Sequence, residues 1–146
     1  THFADGAYQR IELSENGLNC RIVPASDPVG EGTYSAAEFM PALIRDGEKL
    51  ENQDWTGEQP RAGFGAGDQG IYMLVIEGRY PDEGIRGTSV NTCADILLAY
   101  GCRNAINMDG GSSAILWYDG EYVTQSSSVT LRYTGGRPLP NAWVYG

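Results

Sequence analysis

Apolar and polar positions divide the 146 residues into many short elements. The most continuous apolar run is Ile71-Tyr72-Met73-Leu74-Val75-Ile76. It predicts a strand over residues 71–77, central in its sheet and covered on both faces. Asp68-Gln69-Gly70 predicts a turn ahead of it, and residues 61–66 a partner strand. Helical spacing is clear over one stretch, where Val90, Cys93, Ile96, Leu97 and Tyr100 fall on one face. Ser89 is placed to cap that helix and Gly101 to stop it. Ser35-Ala36-Ala37-Glu38 has the spacing of a capping box and predicts a second, short helix that stops before Pro41. Further strands are predicted over 19–23, 42–45, 105–108, 129–133 and 142–145. Residues 114–118 and 121–124 predict a hairpin about Asp119-Gly120, and Asp46-Gly47 a tight turn. Residues 51–60, 80–87 and 135–141 read as loops.

Many short strands with two helices predict an α+β fold: a single domain with a curved mixed, largely antiparallel sheet packed on two helices. Residues 1–40 carry turn signals such as Asn16-Gly17 and Asp27-Pro28 and little apolar material. They read as an N-terminal arm, an incomplete part of the domain that occupies 41–146.

Composition narrows the function classes. Hydrophobic residues make up 41% and charged residues 20%, a globular balance. No stretch approaches the roughly 18 apolar residues of a membrane span. The net charge of −9 repels polyanions at long range, so nucleic acid is not an expected partner. Cys20, Cys93 and Cys102 lack metal-ligand spacing. Cys93 and Cys102 flank one helix about 13 Å apart, too far for a bridge, and read as buried structural thiols. No metal or other cofactor is expected.

Three segments carry candidate chemistry. Asn107-Met108-Asp109-Gly110-Gly111-Ser112-Ser113 sends a strand into an acid, two glycines and two serines. Paired glycines let backbone N–H groups form an anion-binding concavity, to which Ser112 and Ser113 add hydroxyls. Taken alone, the same pattern also suits a tight turn whose Asp satisfies its own backbone. Glu77-Gly78-Arg79 ends the most apolar strand; the arginine suits phosphate, although a surface Glu and Arg at a strand end look the same. Arg61 opens the preceding strand. An antiparallel pairing of the two strands puts Arg61 beside Glu77 and Arg79, so three features converge on one end of one sheet. Other signals fail on context. Gly65-Ala66-Gly67-Asp68-Gln69-Gly70 fits a dinucleotide fingerprint but leads into a strand, not a helix. Thr1 as a terminal nucleophile and His2 as a triad base would each need a pocket built around the chain terminus.

Pro60-Arg61-Ala62-Gly63-Phe64-Gly65, Glu77-Gly78-Arg79, Gly87-Thr88-Ser89-Val90, the Asn107 to Ser113 stretch and Arg137-Pro138-Leu139-Pro140-Asn141-Ala142, in that order, resemble the phosphodiester glycosidase family. The likeness covers roughly residues 41–146. It departs at Glu77, where the family usually has Asp, at Thr92, where it tends to have Glu, and in having two glycines after Asp109 where three are common. The resemblance implies hydrolysis of the bond between a sugar's anomeric carbon and a phosphate oxygen. It makes Asp109, Glu77 and Arg79 the catalytic candidates and Arg61, Asn107, Gly110, Gly111, Ser112 and Ser113 the substrate-binding ones. It implies a sugar-phosphate or glycan partner, with other chains able to supply part of the pocket. The implied setting is extracellular, cell-surface or virion-associated. The alternative is a module that grips such glycans without cleaving them.

Overall fold

The computed structural model describes residues 8–52, 56–127 and 136–145. In chain order the elements are β1 (Gln9–Leu13), β2 (Cys20–Pro24), β3 (Ser35–Phe39), β4 (Ala42–Arg45), β5 (Glu48–Lys49), β6 (Arg61–Gly67), β7 (Gly70–Ile76), α1 (Val90–Ala99), β8 (Cys102–Met108), β9 (Trp117–Tyr118) and β10 (Glu121–Tyr122). Single 3-10 turns occupy Pro81–Glu83 and Gly111–Ser113.

A five-stranded sheet in the order β5-β4-β8-β6-β7 forms the middle layer, and all its ladders are antiparallel. Alternation along its strands splits the core in two. Leu43 and Ala105 face α1, with Val90, Cys93, Ala94 and Leu97. Ala42, Phe64, Ala66 and Ile106 face the other way and pack on Ile11, Leu13 and Ile22. Those three come from a second antiparallel sheet in the order β2-β1-β3. Leu43 and Ile44 lie in one cluster although adjacent, because the β4–β8 register shifts between Ala42 and Ile44.

The α+β expectation and the antiparallel pairing stand, but the second helix does not. Residues 35–39 form β3, paired with β1 from Ser35↔Leu13 to Gln9↔Phe39. Their exposure alternates with period two, and the pairing outweighs the local capping signal. The apolar run 71–76 is an edge strand, not a central one; its residues are half-buried, and Met73 is exposed. The central positions go to β6 and β8, whose glycines and polar residues disguise them. At Gly65 an added Cβ would come within 2.8 Å of Ala105 Cβ, so the missing side chain lets the two strands pack.

Helix α1 forms as expected. Ser89 Oγ accepts the N–H of Thr92 at 3.2 Å, and Gly101 follows the helix at φ +96°. Its buried face is Val90, Cys93, Ala94 and Leu97, while Tyr100 stays exposed. The three thiols are free; Cys93 and Cys102 are buried and Cys20 is partly so. Burial raises Cys20 to about 12 and Cys93 and Cys102 to about 11, so all three stay protonated and unreactive near neutrality. The expected strand over 142–145 is absent. Trp143 instead stacks on Phe64, with ring centroids 3.9 Å apart and planes 4° from parallel. The strand expected over 129–133 and both Thr1 and His2 lie outside the described residues.

The N-terminal sheet has an ionic core. Glu12 is 2% exposed and receives Arg10 Nε at 2.7 Å, Arg21 Nε at 2.7 Å and Thr33 Oγ1 at 3.0 Å. Gly30 N–H adds a further bond at 3.2 Å. Burial pushes this carboxyl upward, yet the four donors outweigh it and hold Glu12 at about 2. The buried Arg10 also donates to the carbonyls of Ala25 and Asp27, which ties the 25–27 turn to β1.

Candidate active site

Strand register builds the site. Because β6 runs antiparallel to both neighbours, its N-terminal end lies beside the C-terminal ends of β7 and β8. Arg61 pairs with Ile76 and Ala62 with Met108. Glu77-Gly78-Arg79 and Asp109-Gly110-Gly111 therefore leave the sheet on either side of Gln59-Pro60. The convergence expected from sequence is present in the geometry.

Glycines make the convergence tight. An added Cβ would lie 2.8 Å from Pro60 N at Gly78, 2.3 Å from the Gln59 carbonyl at Gly87 and 2.6 Å from Pro60 O at Gly110. Three segments thus close on one dipeptide at distances no side chain allows. Backbone bonds pin them there. Gly111 N–H donates to Pro60 O at 2.8 Å, and Gln59 and Thr88 exchange both their N–H···O bonds.

Arg79 takes the left-handed conformation at φ +68°, uncommon for a residue with a side chain. It thereby lays its guanidinium against Gly111, where an added Cβ would be 3.0 Å from Nη2. Nε and Nη2 both donate to Gln59 Oε1, at 3.0 and 2.8 Å. That partner is neutral, and among the described residues Arg79 meets no carboxylate, so its positive charge is uncompensated there. Asp109 is exposed, with 61% of its side chain accessible, and pairs with Arg137 Nη2 at 3.5 Å. The same nitrogen donates to Ser113 Oγ. Arg137 thus links the exposed Asp109 to the buried Ser113, and Arg79 lies against Gly111, which falls between those two in sequence.

Other expected site residues have structural engagements. Arg61 is buried and donates to the carbonyls of Thr88 at 3.0 Å and Gly57 at 2.8 Å. Burial lowers its pKa from the usual value; Cys93 opposes that shift and Arg79 adds to it. Asn107 is 1% exposed and points into the fold. Its Nδ2 donates to Met40 O at 2.8 Å and its N–H to Pro41 O at 3.0 Å, tying β8 to the entry of β4. Glu77 accepts the backbone N–H of Gln125. Tyr80 Oη donates to Ser126 O at 2.7 Å, and Ser126 Oγ to the carbonyl of Ser112 at 3.3 Å. Glu77, Tyr80 and Ser112 together strap residues 125–126 against the site. The open pair of glycine N–H groups is modified too, since Gly111 gives its N–H to Pro60.

Sequence reasoning gave Arg137 and Gln59 no role. Arg137 lies 28 residues beyond Asp109, and no local pattern links the two. Its place in the last matched motif was the one signal available. Gln59 precedes the Pro60-Arg61 motif by one residue.

A family model described as phosphodiester glycosidase matches residues 4–145. Among solved structures, the chain is similar to the zebrafish N-acetylglucosamine-1-phosphodiester alpha-N-acetylglucosaminidase catalytic domain auto-inhibited by its pro-peptide. That match has a TM-score of 0.58 and 17% identity over 82% of this chain and 45% of that one. A hypothetical protein from Synechocystis matches with a TM-score of 0.51 and 18% identity, over 86% of this chain and 32% of that one. The chain therefore spans less than half the length of either solved chain. No curated protein matches it in sequence. The likeness to the solved structures concerns the fold, whereas the family match runs through every segment that builds the site. On that match, the chain belongs to the phosphodiester glycosidase family.

Proposed function

We propose that the chain hydrolyses the glycosyl C1–O bond of a sugar-1-phosphodiester, releasing free sugar and a phosphomonoester. The observation that carries this reading is the pairing of Asp109 with Arg137, with the Arg79 guanidinium laid against Gly111 two residues on. A phosphate is a good leaving group and needs little proton donation. It needs stabilisation of the negative charge that develops on its oxygens, and Arg79 and Arg137 supply it. Asp109 is the one carboxylate of the three segments that faces solvent beside those arginines. It serves as the base for water or as the stabiliser of the oxocarbenium-like carbon. Ser113 orients Arg137. Glu77 acts by holding residues 125–126, and Arg61 and Asn107 act by fixing the strands beneath. No step calls on a metal or other cofactor.

Hydrolysis of UDP-N-acetylglucosamine or another sugar-1-phosphodiester in ¹⁸O-water tests this. Cleavage at C1–O places the label in the free sugar. Label in the phosphate, or no turnover of any such substrate, overturns the reading.

The exposure of Asp109 favours a second reading, a module that binds sugar phosphates without cleaving them. Catalysis on so open a surface needs a further wall to exclude water, which the remainder of a longer protein or a second chain would supply. Saturable binding without product separates the two. A sugar-phosphate polymer as substrate fits an extracellular, cell-surface or virion-associated setting.

A further inference from the structure

The strongest feature left unused is the β9–β10 hairpin. Trp117 and Tyr122 sit directly opposite in its ladder, so both side chains project from one face. They are 61% and 55% exposed. Two large rings exposed side by side form a contiguous apolar patch, the kind of surface that marks a binding site. The tip is a tight turn: Asp119 at φ +48° and Gly120 at φ +87° form the hairpin turn that matches strand twist. Val123 N–H to Leu116 O, at 2.9 Å, and Leu116 N–H to Thr124 Oγ1, at 3.0 Å, brace its base.

The hairpin adjoins the site on two sides. It follows the Gly111–Ser113 turn after three residues. Gly136 also packs against it, since an added Cβ there would lie 2.3 Å from Ile115 Cδ1 and 3.8 Å from Tyr122 Cε1. The next residue is Arg137, whose guanidinium reaches Asp109. Tyr122 thus borders the segment that supplies the site's second arginine.

We propose that Trp117 and Tyr122 form a stacking platform for a pyranose ring beside the phosphodiester, so that the substrate is an oligo- or polysaccharide phosphate. This deepens the glycosidase reading and rests on it for the choice of ligand. Indole and phenol faces suit the apolar C–H face of a sugar, and their N–H and O–H edges suit its hydroxyls. A dimer does not fit the patch. Two such rings bury about 500 Å² at most, against roughly 1,200 Å² or more for a stable protein interface. The ring that stacks here is uncharged, so the net charge of −9 sets no barrier to it, and the phosphates of the same substrate fall to Arg79 and Arg137. Such a platform extends the site to parts of the substrate remote from the bond that breaks.

The test uses phosphate-free glycans, so its readout is independent of turnover. Chitotetraose, cellotetraose and maltotetraose are titrated into the protein by calorimetry and tryptophan fluorescence. At least one is expected to bind at roughly 1 mM, as suits an open face. Trp117→Ala and Tyr122→Ala should each weaken that binding about tenfold or more, and Trp117→Phe should retain most of it. Tyr34→Ala, which removes an exposed tyrosine on the N-terminal side, should change nothing. Thermal midpoints of the hairpin variants should match wild type, because the rings are exposed. Failure of all three glycans to bind overturns the platform. So does binding that survives both alanine variants, or a self-association that Trp117→Ala abolishes. Glycan binding without hydrolysis of any sugar-1-phosphodiester keeps the platform and removes the glycosidase reading. Hydrolysis without glycan binding does the reverse.

Discussion

Glu12 and Asp109 both face arginines, and they differ in nearly every other respect. Glu12 lies under the N-terminal sheet, 2% exposed, with Arg10, Arg21, Thr33 and Gly30 donating to it. Asp109 stands at the end of β8, 61% exposed on its side chain, with one arginine at 3.5 Å. The first is saturated and has no capacity left for a ligand. The second keeps most of its acceptor capacity, beside an Arg79 that meets only a neutral amide among the described residues. A buried, satisfied ion cluster specifies a fold, whereas an exposed, under-satisfied one is available for chemistry. The same residue types therefore divide between stability and function according to how completely their neighbours satisfy them.

Substitutions can break or sharpen that division. The largest effect is expected at Asp109. Asp109→Asn should lower kcat/KM for a sugar-1-phosphodiester about 10³-fold, with the thermal midpoint unchanged. Glu12→Gln leaves Arg10 buried without its closest counter-ion and should cost on the order of 3 kcal/mol in urea unfolding. Gly110→Ala drives a Cβ to 2.6 Å from Pro60 O. It should cost about 2 kcal/mol of stability and also lower activity, because the same contact positions Asp109 and Gly111. The pH dependence carries a sign. Glu12 has a folded pKa of about 2 against the ordinary 4.5, so its contribution to stability is fully present above 4.5 and is lost as pH falls toward 2. Glu12→Gln should flatten that acid limb in thermal scans, and Asp109→Asn should leave it in place. Arg137→Ala should cost little stability, under about 1 kcal/mol as for a largely solvent-screened pair. Its loss of turnover should be far larger in proportion.

Much of the site's frame was legible in the sequence because it depends on near neighbours. The Asp68 to Gly70 turn fixes the β6–β7 register, and that register alone brings Arg61 to Ile76. The Ser89 cap, the Gly101 stop and the Asp119-Gly120 turn are likewise local signals, and each sits where expected. Errors arose where distant partners decide. Residues 35–39 have a helix-start pattern but pair with β1, some 25 residues earlier in the chain. The 71–76 run looks central by hydrophobicity, yet centrality depends on which strands flank it. Asn107 lies inside the most distinctive motif and turns inward to hold Met40. Arg137 joins the site from a Gly/Pro-rich segment 28 residues beyond Asp109, where no local pattern links the two.

The most direct measurement crosses the two carboxylates. Sugar release and thermal midpoint are recorded for wild type, Asp109→Asn and Glu12→Gln, at a temperature where all three are folded. The account predicts that Asp109→Asn melts like wild type and releases almost no sugar. Glu12→Gln should melt earlier and release sugar at nearly the wild-type rate. Equal sugar release by wild type and Asp109→Asn would contradict it.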